Sequence, residues 1–443
     1  MNKFIKIVYS IIVFLLITNC SFDTKSGIWS GKKKLKATNN KNYEVVKLSK
    51  NEEIIKNEFN TSLKITLKHK SKKNEERLLA DINSFNLVPH MIFDGNIETI
   101  SKYKFGKIKK YKSTEPDLII TKNFIIFYDK NGSILKFDKN TNLLWSKNIY
   151  SKKEKKNISN LSFAITKKNV FIADNLGKYY ALDLDTGKLL WSKKVNAPFN
   201  SQIKIKNDKL FIVDINNVLW CISNLNGSIV WKVQTSASLI TTKKKLSLVL
   251  SKNSVIFSNS VGDVTKVDID TGEFIWQIPT QNTLLKNSTN FLKTSDLVML
   301  GENIFFSNNK NQFFSINEKL GVFQWKQNVN SSIRPIIIDN IIFTVSVEGF
   351  LILIDLDTGK IIRATYLLEK FKEKVRDSIS FEGFVIASNK AFITTNTGFV
   401  IICPILNGKV EQNFKISKSS LSKPFIRDNN LYIIKDDAII VLN

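Results

Sequence analysis

The stretch Ala181-Leu182-Asp183-Leu184-Asp185-Thr186-Gly187-Lys188-Leu189-Leu190-Trp191 returns, with few changes, as Lys266-Val267-Asp268-Ile269-Asp270-Thr271-Gly272-Glu273-Phe274-Ile275-Trp276. Looser copies end at Trp145, Trp231 and Trp325, and two degenerate ones carry Arg363 and Phe414 where the tryptophan stands. Successive endpoints are 38 to 51 residues apart. A period of about forty to fifty residues marks a propeller or solenoid array rather than one mixed core.

Each copy breaks down into short strands. In the first, Leu118-Ile119-Ile120 precedes a break at Asn123, and an apolar run follows from Phe124 to Tyr128. The turn Asp129-Lys130-Asn131-Gly132 leads into a strand from Ser133 to Phe137, and a second turn, Asp138 to Asn142, leads into Leu143-Leu144-Trp145. Short apolar runs punctuated by Asn, Asp and Gly are hairpin signals. In the Asp-x-x-x-Gly turn the aspartate is expected to bond the turn backbone, and the glycine to adopt a positive φ. The closing tryptophan is expected to fill the wedge between adjacent sheets. Four strands per unit, repeated radially, define an all-β propeller.

The ends set the blade count. After Phe414 come three strand-like runs, at residues 424–426, 431–434 and 438–442, and the outermost strand is missing. Upstream, Lys102-Tyr103-Lys104-Phe105-Gly106-Lys107-Ile108 alternates basic and apolar residues and can supply it, with Tyr103 near the usual tryptophan position. Closure removes two exposed sheet edges. The expectation is an eight-bladed propeller of four-stranded antiparallel blades over residues 99–443, sealed by residues near 99–110 against 431–443.

Residues 1–20 lie outside that fold. Lys3 and Lys6 precede an apolar run of about eleven residues, too short for a bilayer span of about twenty, and the pattern reads as a secretory signal. Residues 21–98 contain no copy of the repeat. They carry the basic stretches Gly31 to Lys34 and Lys68 to Lys73, and they read as a flexible basic tether with little packed structure, with a short helix possible around Glu75 to Ile82.

The formal charge of +27 raises nucleic acid as a partner, but the lysines are spread over every blade and the chain is read as exported. Attraction to anionic head groups or acidic proteins is the milder inference, and no nucleic-acid partner is expected. The chain has two histidines, His69 and His90, and both precede the first repeat. Imidazole chemistry inside the repeats is therefore excluded by composition. Cys221 and Cys403 sit at similar points of distant repeats, too far apart for a disulfide, and read as small strand fillers. The repeated aspartates each stand in a turn beside their own Thr-Gly, which gives them a structural role without calcium. No catalytic residue, metal or cofactor is assigned.

The sentence Leu-Asp-x-x-Thr-Gly-Lys-x-x-Trp, sharpest at residues 182–191, 267–276 and 354–362, resembles the pyrroloquinoline-quinone-type repeat. The quinone-dependent members of that class carry adjacent cysteines, and this chain has no Cys-Cys pair. Ile17-Thr18-Asn19-Cys20-Ser21 resembles the bacterial lipoprotein cleavage box, with Asn19 a departure from the small residue usual before the cysteine. That resemblance implies lipidation at Cys20 and, through Ser21, outer-membrane sorting. Signal, cysteine, tether and eight-bladed ring together resemble the BamB family of outer-membrane assembly lipoproteins. The resemblance implies a non-catalytic periplasmic scaffold that docks onto BamA and meets unfolded outer-membrane proteins as further clients. It places partner contacts at Leu239 and Lys243 in one loop, Lys243 standing near an arginine position of the family, and at Asp296 in the next. Lysine lacks arginine's bidentate fork. Two other readings stay open, a cell-envelope ligand or polysaccharide binder and a quinone-dependent dehydrogenase. A funnel lined by aromatic side chains would favour the binder, and one blocked by lysine would oppose it.

Overall fold

The computed structural model describes residues 64–68, 70–71, 84–105, 118–236, 242, 244–281, 292–435 and 437–443. They form eight four-stranded antiparallel sheets, each a simple meander, arranged as a propeller. Blade 2 shows the pattern: Leu161–Ile165 is innermost, followed outward by Asn169–Asp174, Lys178–Asp183 and Leu189–Lys194. The three inner strands of this blade are almost entirely buried, and the fourth is largely exposed. That gradient explains why the inner strands read as continuous apolar runs and the outer ones as mixed.

The eighth blade closes the ring. Phe425–Arg427, Asn430–Ile434 and Ala438–Leu442 are completed by Thr99–Lys104, with Tyr103 opposite Ile439 and Lys104 opposite Ala438. The expected seal is present; residues 106–108 of the sequence-predicted strand lie outside the described residues.

The repeated turn works as expected. Asp183 Oδ1 accepts from the Thr186 backbone N–H at 2.8 Å and from its hydroxyl at 2.6 Å, and Gly187 has φ +69°. Asp268 and Asp355 bond Thr271 and Thr358 in the same way. The glycine also answers a second need that the sequence did not disclose. A Cβ placed on Gly187 would lie 2.8 Å from Trp145 of the preceding blade, and Gly227, Gly272, Gly321 and Gly359 meet Trp191, Trp231, Trp276 and Trp325 likewise. The indole lies flat on the next turn.

It is fastened there as well. Trp145 Nε1 donates to Leu184 O at 3.1 Å, and Trp191, Trp276 and Trp325 donate to Asn224, Glu318 and Leu356 carbonyls at 3.1–3.2 Å. Trp231 adopts the same packing with its indole N–H unpaired. Where the repeat degenerates, the latch persists in other chemistry. Buried Arg363 donates to the carbonyls of Ile405 and Leu406 beneath Gly408, and Tyr103 donates to Lys139 O at 3.2 Å. Tyr103 thus stands in the tryptophan role at the seam.

A β-bulge aims these side chains. In blade 2 Ala181 pairs with Trp191 and Leu182 with Leu189, so Leu190 is the extra residue. The same register shift recurs in blades 1, 3, 4, 5 and 6. A bulge bends the strand and re-aims a side chain. Blade 7 has no shift in this strand pair, and its outer strand Gln412–Lys415 carries Phe414.

Not every lysine is solvated. Lys136 donates to Leu184 O, the carbonyl that also takes the Trp145 indole, and Lys266 bonds Glu318 O and lies 2.8 Å from its carboxylate. Part of the formal charge is therefore spent inside blade interfaces.

The tether expectation needs correction at residues 84–98. They have almost no secondary structure, yet they pack closely on the propeller: Leu250 N–H donates to Ser84 O, Met299 N–H to Phe85 O, Ser388 N–H to Met91 O, and Glu98 and Asn443 exchange both backbone bonds. Val88, Met91 and Phe93 are buried in the same cluster as blade 7, with Phe93 edge-on to Phe392 at 5.1 Å. Buried Val, Met and Phe supply the apolar area that a tether would lack. Residues 72–83, with the whole of the possible helix, lie outside the described residues, as does Cys20.

Candidate docking surface

In a meander blade the first-to-second and third-to-fourth turns share one face of the ring. The second-to-third turns and the links between blades share the other. The expected partner residues all belong to links: Leu239 and Lys243 between blades 3 and 4, Asp296 between blades 4 and 5. Residues 84–98 bond the opposite face at Ser388 and Asn429 in first-to-second turns and at the end of the Leu248–Leu250 strand, and Asn86 among them reaches through to the link residues Gln202, Ser247 and Leu297.

Leu239 and Lys243 lie outside the described residues, but the end of their link is well placed. Asn200 Nδ2 donates to Thr242 O at 2.8 Å and to Lys244 O at 3.1 Å, and Leu246 N–H donates to Asn200 O. Lys244 Nζ reaches Ser332 O in the approach to blade 6, while Lys245 Nζ reaches Leu161 O in blade 2 at 3.2 Å. Two adjacent lysines therefore extend from blade 4 in opposite directions around the ring.

Asp296 is only 7% exposed, and its carboxylate lies 3.7 Å from Arg334 Nε. Ser295 bonds both ways with Ser307, and Leu297 N–H donates to Ser247 Oγ, which ties this link to the previous one. Residues 332–334 thus meet Lys244 from one link and Asp296 from the other. The structure brings the two expected loops onto a common segment. Sequence reasoning missed Arg334, Lys244 and Lys245. Arg334 belongs to no repeat motif, and the only available signal was its place just before Pro335 and the blade 6 inner strand.

The remaining reactive side chains are occupied structurally. Cys221 and Cys403 are free and buried, and burial pushes each thiol up to about 12. His90 Nε2 accepts the Asn389 backbone N–H at 3.1 Å. Asp174 accepts the Tyr150 hydroxyl at 2.7 Å and two turn N–H groups, and its burial raises the carboxyl above the usual range. Asp214 is raised by burial too, and takes the Trp220 indole N–H at 2.9 Å. Among the described residues no three His, Cys, Asp or Glu side chains converge as metal ligands.

Fold and repeat together define an eight-bladed propeller in which seven blades rest an aromatic or cationic side chain on the next blade's turn. The family model described as outer membrane protein assembly factor BamB matches residues 130–365, more than half of the chain, and the chain belongs to that family. Two curated proteins named outer membrane protein assembly factor BamB are similar to it. That of Moranella endobia is 29% identical over 25% of this chain and 26% of its own length, and that of Shewanella oneidensis 24% identical over 46% and 56%. The matches thus span about a quarter and just over half of these relatives. Among solved structures, BamB from Moraxella catarrhalis superposes with TM-score 0.66 at 14% identity, covering 79% of this chain and 100% of that one. Quinohemoprotein alcohol dehydrogenase from Comamonas testosteroni gives 0.63 at 10% identity, covering 84% and 81%. At these identities the structural likeness shows a shared fold.

Proposed function

We propose that this chain is a non-catalytic scaffold of the outer-membrane β-barrel assembly machinery, held at the periplasmic face of the outer membrane by lipid on Cys20. It docks onto the periplasmic part of a BamA-like subunit through the links between blades. The observation that carries this reading is the convergence of two links on residues 332–334, on the face opposite the turns to which residues 91–94 bond. A rigid closed ring suits a docking role, because a preformed surface loses little conformational entropy on association. Arg334 and Lys244 are half-buried cationic groups at that face and suit an acidic partner surface. Unfolded outer-membrane proteins are further clients, which could be held by pairing with an exposed outer strand.

The test is detergent solubilisation of native membranes and capture of the tagged full-length chain. A BamA-like subunit in the eluate, retained through washing at moderate salt, supports the reading. A preparation free of any barrel-assembly subunit contradicts it.

A further inference from the structure

Asn86 is completely buried and touches the inner strands of three successive blades. Its Nδ2 donates to Leu297 O at 2.8 Å and Leu248 O at 3.0 Å, with Ser247 Oγ at 3.2 Å and Gln202 Oε1 at 3.4 Å. Its Oδ1 accepts from the ammonium of Lys204, itself fully buried at the start of the blade 3 inner strand. Inner strands border the axis of a propeller, so this carboxamide sits at the axial channel. The orientation of the amide is fixed by chemistry, since two carbonyls require a donor and an ammonium requires an acceptor.

The backbone reinforces the choice of residue. Asn86 has φ +56°, in the left-handed region where asparagine is enriched and most side chains resist. Aspartate would face two carbonyls with no hydrogen to give, and leucine would take an acceptor away from a buried ammonium. Just before it, Ser84 O and Phe85 O take backbone N–H groups from Leu250 in blade 4 and Met299 in blade 5.

We propose that the inner strands of blades 3–5 form a recognition site for an asparagine carboxamide on a peptide that turns at that asparagine, filled in cis by residues 84–88. The chain's own leader segment holds the channel shut against other ligands. This goes beyond the scaffold reading and does not depend on it.

The test uses the full-length chain with Asn86→Gly, which keeps the left-handed backbone and removes only the carboxamide. Amide exchange at Leu250 and Met299 is expected to rise at least tenfold, while amides inside blade 1 stay unchanged. A labelled synthetic peptide with the sequence of residues 84–90 should bind the variant at least tenfold more tightly than it binds the wild type. The same peptide with leucine at the asparagine position should not bind. If Asn86→Gly alone fails to fold, Asn86→Gly combined with Lys204→Met is read by amide exchange at Leu250 and Met299 alone, because Lys204 belongs to the site itself. Unchanged exchange at Leu250 and Met299, or peptide binding indifferent to the asparagine, overturns the proposal.

Discussion

Arg363 does a tryptophan's work by different means. An indole offers one donor and a large flat face; the guanidinium offers a fork, and Arg363 places it on the carbonyls of Ile405 and Leu406. Arg363→Ala should cost about 3–4 kcal/mol in chemical denaturation, since it opens a cavity and removes the guanidinium donor from the buried bond to Ile405 O. Arg363→Trp should recover more than half of that loss, because Gly408 already provides the bare backbone an indole needs. Trp191 is half-buried, so Trp191→Ala belongs at about 2–4 kcal/mol, toward the low side of fully buried aromatics. Gly187→Ala should lose about 2 kcal/mol in the same assay, combining a positive φ with contact against Trp145.

At the scale of the element, turns and strands carry opposite pH signatures. Hydrogen bonds from Thr186, Thr271 and Thr358 hold Asp183, Asp268 and Asp355 below the usual carboxylate range of about 3.9. A depressed carboxyl contributes stability that is present above its unfolded pKa and lost as pH falls through its folded value. Melting at pH 5 and pH 3 should therefore show stability falling toward acid, with a smaller fall in the triple Asp→Asn variant. The buried thiols behave the other way. Cys221 and Cys403 are raised to about 12, so their contribution is intact below the unfolded thiol value of about 8.5 and fades as pH climbs toward 12. Both should resist a thiol reagent at pH 8 in the folded chain and react fully once it is unfolded.

The sequence displayed the elements that repeat and hid those that do not. The Asp-Thr-Gly turns, the closing strand and Tyr103 at the seam were legible because each occupies a fixed place in a period. The bulge at Leu190 was not, because an extra residue looks like one more apolar position until the pairing is known. Residues 84–98 were hidden more deeply. Their bonds run to partners 116 to 211 positions away at Asn86, and no local pattern encodes such distances. Asp296 was read from a loop, and its burial beside Arg334 follows from how one blade meets the next.

For the whole molecule, closure and orientation are the two claims that matter. Tyr103→Ala should weaken the seam by about 2–4 kcal/mol and speed proteolysis of the closing strand, since it removes both the latch to Lys139 and the Phe137 contact. Orientation is the sharper question, because residues 91–94 bond turns on one face of the ring and the links between blades lie on the other. The most direct measurement is site-specific photocrosslinking in living cells from position 239, in the link between blades 3 and 4, and from position 225, a 72% exposed third-to-fourth turn on the opposite face. The account predicts a crosslink to a BamA-like subunit from 239 and none from 225. A crosslink from 225 alone, or from neither position, would contradict it.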